Sequence, residues 1–288
     1  MAFKILHLPF KNLYKMKKIL LVSLCFATMY VNAQSIKLDN GRKITATTTT
    51  AMEMDMGMAG QMKMATTSVN IINVSVTEEK QYKATNTATK LIISQEGMGQ
   101  SMNFDSDKKE DRDSEIGKSV SKDLDTPAEI TIEKSSGKVT EINKKTSPED
   151  EVDKNPMAEI MGDTKSAEAT AANAFFVIPA GKKAGDTWTD STNEAGMKGV
   201  KSYVLQSIKD GLATIAVKAS AKGLISKEAQ GMQIDMNMTS TGDGAMIVDT
   251  KTGLVKKNDI TSDVAGTLDV MGQSMPVTMK MTASSVFE

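Results

Sequence analysis

From Arg42 to Met58 the side chains follow an alternating pattern over a long stretch. Ile44, Ala46, Thr48, Thr50, Met52, Met54, Met56 and Met58 fall on one face, and Thr45, Thr47, Thr49, Glu53 and Asp55 on the other. A period of two sends successive side chains to opposite faces of a strand, so this stretch predicts a half-buried antiparallel strand. Ala59-Gly60-Gln61 turns the chain, and Met62 onward returns through Val69, Ile71, Ile72, Val74 and Val76. The apolar phase slips between Met64 and Val69, which predicts a bulge or a change of buried face. A third strand is expected from Lys80 to Gln95, followed by a tip at Gly97 to Gln100.

Residues 105–125 carry dense mixed charge and read as a solvated loop with a short helix near Ile116 to Leu124. A short hairpin follows, with Ile130 and Ile132 before Ser135-Ser136-Gly137 and Val139 and Ile142 after it. Beyond a charged stretch, Pro156 can open a helix at its first turn. Met157, Ile160, Met161, Ala167, Ala171, Ala174 and Phe175 keep partial helical spacing up to Pro179.

The second half opens with Gly185-Asp186-Thr187-Trp188, a turn into a strand where Trp188 is expected to anchor the core. Val200 to Ile208, Lys209-Asp210-Gly211 and Leu212 to Val217 form the clearest hairpin signal, since Asp-Gly suits the tight turn between twisted strands. Met232, Ile234, Met236 and Met238 alternate with polar partners, Asp249 to Gly253 turns the chain, and Val264 to Met281 completes a meander. The predicted fold class is mainly β: an antiparallel meander forming a curved or incompletely closed barrel with one central helical segment. The predicted divisions are 1–33 signal, 34–150 N-terminal β-rich half, 151–179 helical connection and 180–288 C-terminal β-rich half.

A Gly-Gln step beside methionines recurs at the strand tips, as Met58-Ala59-Gly60-Gln61-Met62, Met98-Gly99-Gln100-Ser101-Met102 and Met271-Gly272-Gln273-Ser274-Met275, with a scrambled relative at Gly231-Met232-Gln233. These tips and the alternating strands define one unusual surface. Its candidate ligand-binding residues are Met54, Met56, Met58, Met62, Met64, Met98, Met102, Met232, Met236, Met238, Met271, Met275, Met279 and Met281.

The first 33 residues have the form of an export signal: a basic start at Met16-Lys17-Lys18, an apolar run from Ile19 to Tyr30, and Val31-Asn32-Ala33 at the cleavage position. Met1 and Met16 both remain open as the start of translation. The apolar run is short for a spanning helix, which needs about 20 residues. Cleavage removes His7 and Cys25, the only residues of their kinds. The remainder can hold no disulfide, no His or Cys catalyst and no His/Cys metal site. It also removes five lysines and no acid, so the formal charge moves from −1 to −6, which argues against nucleic acid and anionic membrane surfaces.

Few aromatic residues remain, which weakens sugar-stacking and base-stacking roles. The acids Glu53, Asp55 and Asp235 alternate with methionines and are expected on the wet face. No serine motif stands at a strand-to-helix turn beside a base. The expectation is therefore a non-catalytic protein without a cofactor.

Residues 34–288 keep 19 of the 22 methionines. Three roles compete for them. Methionine fills irregular apolar cores. A face of methionines on an unclosed sheet could instead remould around an apolar small molecule, a lipid, or an apolar segment of an envelope protein partner. Thioethers also suit Cu(I), which makes envelope soft-metal binding the rival, and a structural envelope protein without a small ligand is compatible with the same pattern.

Gly185-Asp186-Thr187-Trp188, the Asp249-Thr250-Lys251-Thr252-Gly253 turn and the Gly-Gln tips resemble a family of exported bacterial proteins, domain of unknown function family 6263. The resemblance covers most of residues 35–288 and implies an exported β-rich fold, without supplying catalytic residues. The long ribbons with an intervening helix are also similar in architecture to the open half-barrels of periplasmic lipoprotein carriers, and fold does not imply function. Export would end in the periplasm, at the outer membrane or outside the cell. The expected mature N-terminus is Gln34, checked by N-terminal sequencing and intact mass of the exported protein; a chain that retains residues 16–33 would point to an anchor.

Overall fold

The computed structural model describes residues 35–57, 60–97, 99–142, 167–194, 197–229, 232–270 and 273–288. The expected β meander is present. Strands β1 (Lys43–Asp55), β2 (Gln61–Thr77), β3 (Gln81–Gly97), β4 (Gln100–Asp105), β5 (Ala128–Glu133) and β6 (Val139–Glu141) make the first half. Strands β7 (Thr187–Glu194), β8 (Met197–Lys209), β9 (Leu212–Ala229), β10 (Met232–Asp249), β11 (Val255–Val270) and β12 (Gln273–Phe287) make the second. All belong to one antiparallel sheet in the order β6-β5-β3-β2-β1-β12-β11-β10-β9-β8-β7, with β4 paired to β3. The two ends of that order, β6 and β7, do not pair, so the barrel is not closed.

The two halves join where β1 pairs β12, from Ala46 opposite Phe287 to Asp55 opposite Thr278. The sheet must curl, because a single buried cluster collects side chains from strands far apart in it. Ile44 on β1, Ile72 and Val74 on β2, Ile130 and Ile132 on β5, Leu205 on β8, Ile215 on β9 and Val248 on β10 all meet around Ala171, Ala174, Phe175 and Ile178. The chain between the halves thus plugs one end of the trough. Glycines permit the bend. A Cβ on Gly244 would lie 2.1 Å from the Asp259 carbonyl oxygen of the neighbouring strand, an approach open only to a residue without a side chain.

Three short helices lie among the described residues: α1 (Lys109–Asp113), α2 (Glu115–Val120) and α3 (Ala167–Ala172). The first two sit in the predicted charged loop, with the Ser114 hydroxyl accepting from Gly117 N–H at 2.9 Å as a helix cap. Of the expected central helix, residues 151–166 lie outside the described residues. Its end is corrected from Pro179 to Ala172, because the chain beyond is recruited into pairing. Val255 N–H donates to the Ala174 carbonyl, Phe176 N–H donates to the Gly253 carbonyl, and Phe175 bridges Leu254. Tertiary pairing overrides the helical spacing there.

The N-terminal segment ties the plugged end together. Ile36 N–H donates to Lys134 O at 2.7 Å and Lys37 N–H to Thr252 O at 2.9 Å, which links turns from both halves. The Tyr82 hydroxyl accepts from Leu38 N–H at 3.0 Å and donates to Ile36 O at 3.2 Å. Trp188 takes its expected anchoring role, stacked on Tyr203 at 5.3 Å between ring centres, with Phe176 at 6.4 Å.

The expected bulge or change of face on β2 between Met64 and Val69 is corrected: β2 pairs β1 without a register shift there, and the irregularity lies on its other neighbour. The β2–β3 register shifts between Val69 and Asn70. The extra residue, Thr89, is on β3, since Val69 faces Lys90 and Asn70 faces Ala88. On β2 itself Met62, Met64, Thr66, Ser68, Asn70, Ile72 and Val74 keep one face throughout. The strands are longer than their apolar segments: β9 continues to Ala229, and β11 begins at Val255 instead of near Val264.

Phe175→Ala removes the largest side chain of the plug and is expected to lower stability by about 3–5 kcal/mol, read as a fall in the midpoint of denaturant unfolding.

Candidate functional site

Because the order of strands alternates in direction, the turns after β1, β3, β9 and β11 fall at the same end of the sheet. Gly60-Gln61 and Gly99-Gln100 are there, opposite the plug, as are the strand ends that flank the other two tips. The turns at the plugged end, Glu78 to Lys80, Ser135 to Gly137, Asp210-Gly211 and Thr250 to Gly253, contain no methionine. One chain therefore builds two chemically different ends. The first tip is shaped by Asp55, whose carboxylate accepts from Gly57 N–H at 2.8 Å and from the Gln61 amide at 3.3 Å.

Register places the predicted methionines side by side. Met54 on β1 is opposite Met62 on β2 and Met279 on β12, and Met52 is opposite Met64 and Met281. Met52, Met54, Met56 and Met62 are buried as one cluster, packed with half-buried Met64, Val277 and Met279. Met236 is also buried, while Met238, Met275 and Met281 are half-buried on the same concave face. Met102 on β4 is half-buried and faces Gln95, one strand removed from Met64, so it stands outside the cluster. The Gln95 amide donates to the Met62 sulfur at 3.5 Å. Met58, Met98 and Met271 lie outside the described residues, as does the side chain of Met232.

A small apolar pocket of about 40 Å³ opens beside this cluster. Met54, Met56, Met236, Met238 and Met279 line it with Val264, Gly266, Leu268 and Val277. β1 and β10 are separated by two strands in the sheet, so curvature is what brings Met54 and Met236 to one pocket. Of the pocket lining, only Gly266 is without a side chain. Nearer the plug on the same face, Ser240, Gly242, Ala221, Ala219 and Gly199 are small and stand beside Val264 and Lys201.

Met52 was a member of the alternating face but not a candidate; its register makes it part of the cluster. The stretch of small inward residues on β9 was missed altogether. Its signal was present as Ala219, Ala221 and Gly223 at a period of two, but small residues have no apolar contrast to make the alternation visible. The acids behave as expected on the first strand: Glu53 points away from the trough and pairs with Lys63 at 3.3 Å, both exposed.

A second pocket, of about 170 Å³, lies nearer the plug. It is bounded by Phe175, Phe176, Lys201, Tyr203, Met246, Asn258 and Ile260. Burial, and then the Asp190 carboxylate, push the Tyr203 phenol up to about 12. Among the described residues no group of three His, Cys, Asp or Glu side chains is placed to hold a metal ion. No helix among them is long and apolar enough to cross a membrane.

The arrangement defines a class: an unclosed, curled antiparallel sheet, plugged at one end and lined with methionine at the other. The chain belongs to the family of unknown function DUF6263, which matches residues 79–255. No curated protein matches it. Among solved structures it is similar to that titled "Lipid-protein interactions in lipovitellin", with a TM-score of 0.47 and 11% identity over 88% of this chain. The chain spans 25% of that protein's length. Pseudomonas aeruginosa OccK5 (OpdH) has a TM-score of 0.26 and 5% identity, covering 86% of this chain and 99% of that one. An outer membrane channel from Pseudomonas putida F1 has a TM-score of 0.25 and 6% identity, covering 88% and 97%. No functional conclusion follows from likeness at these scores.

Since the folded protein holds the Tyr203 proton more tightly than an unfolded chain, this residue stabilises the fold fully below the ordinary tyrosine value of about 10. That contribution is lost as pH rises through about 12. Titration of tyrosinate absorbance should show one late step that Tyr203→Phe removes.

Proposed function

We propose that this is an exported, non-catalytic protein that binds an apolar ligand of lipid or acyl-chain character in the methionine-lined trough. The observation that carries the reading is the open apolar pocket between Met54, Met236, Met279 and Leu268. Its lining holds no charged side chain, which favours an apolar ligand over a polar one. Methionine suits ligands of variable shape, because its unbranched thioether chain adapts to what it touches. Gly266, with no side chain, leaves room in the lining that a larger residue would reduce. The plug supplies rigidity at the other end, so the trough stays open without a ligand to hold it apart.

The reading is tested by native mass spectrometry of the protein purified from an exporting host, before and after organic extraction. The expected result is a stoichiometric apolar molecule that extraction removes and a lipid mixture restores. Leu268→Glu places a charge on the half-buried pocket wall and should abolish the restored complex while leaving the thermal transition little changed. A protein that emerges free of ligand and takes up none from the mixture would sink the reading.

A further inference from the structure

The two buried clusters of this protein are made of different materials. The plugged end is built from Ile, Val, Leu, Ala and aromatic residues, with Met246 as the one methionine among its described core residues. The fully buried members of the other cluster are Met52, Met54, Met56 and Met62. Apolar packing is achieved a few turns away without sulfur, so packing alone does not account for thioethers at every one of these adjoining positions.

Their placement is regular. Met62, Met54 and Met279 form one cross-strand row, and Met64, Met52 and Met281 form the next. Residues directly opposite on one face of an antiparallel pair have Cβ atoms roughly 4.5–5.5 Å apart. Three rotatable bonds then let neighbouring sulfurs turn toward a common point. Three strands thus present six neutral, soft donors on one face in a two-by-three array, beside an open pocket that gives access to it.

We infer that this array is a binding site for a soft monovalent cation, Cu(I) or its analogue Ag(I). Thioether donors select such ions over Zn²⁺, Mg²⁺ or Ca²⁺. Residues 34–288 contain no His or Cys, and the described residues bring no three acids together, so harder ions find no ligand set here. A single positive charge also costs less to bury among uncharged donors than a double one. The site uses sulfur where the ligand reading uses apolarity, so the two stand or fall separately.

Met→Leu substitution separates them, since it removes sulfur and nearly conserves volume. The protein is titrated with Ag(I) and, without oxygen, with Cu(I) against a coloured Cu(I) chelator. The unsubstituted protein is expected to retain the ion in stoichiometric amount. The variant M52L/M62L/M64L/M281L, none of whose positions lines the pocket, is expected to lose it while its thermal transition stays little changed. Methyl NMR of the unsubstituted protein needs no variant: the array methyl signals should shift on adding Ag(I) while that of Met246 stays in place. Failure to retain the ion, undiminished retention by the variant, or shifts absent from the array would overturn the inference.

Discussion

The packing of Phe175, Ile178 and Ile36 against the inner face of the sheet is the contact on which the rest of the molecule depends. A sheet of this width has two open edges and one long apolar face, and burying that face requires either a second layer or curvature around a filler. Here the chain between the halves is the filler. It draws β5, β2 and β1 from one side and β8, β9 and β10 from the other onto one cluster. Curvature set at the plugged end runs along the strands to the other, so the shape of the trough is decided at a distance from its lining.

That separation of roles explains the uneven chemistry of the strands. Near the plug the inward residues are stiff and branched, and they meet each other and the filler directly. Toward the far rim the inward positions are mostly long flexible methionines on β1, β2 and β12, continued by Met236 and Met238 on β10, with short residues such as Ala219, Ala221 and Gly223 on β9. Between them, inward hydroxyl groups mark the transition, with Thr48 and Ser285 in contact at 3.0 Å. One end is a core in the ordinary sense. The other is a partly filled concavity whose walls can change shape.

Much of this was legible along the chain. The alternation from Ile44 to Met56, the Asp210-Gly211 turn and the Gly-Gln tips each led to an observed strand or turn, because period-two patterning and turn chemistry are local properties. Asp210 and Gly211 both have positive φ, at 53° and 80°, as a two-residue hairpin turn requires. What was hidden depended on distant pairing. Residues 172–178 keep helical spacing, yet their backbone groups are claimed by Gly253 and Val255. The outer parts of β9 and β11 carry few apolar residues and are held as strands by their neighbours. Met54, Met62, Met64, Met236, Met238, Met279 and Met281 share one face, but only the curl unites those of β1 with those of β10, and no local pattern encodes it.

The pairing of the first strand with the last has a consequence in time. β1 is among the earliest parts of the sheet to be synthesised, yet one side of it stays without its partner until residues 278–287 have been made. Contacts that span almost the whole chain are slow to form. During that interval the methionine face of β1 has β2 beside it and no β12 across the join. The molecule is therefore assembled as two unfinished half-sheets, and the last strand added is the one that turns them into a single trough.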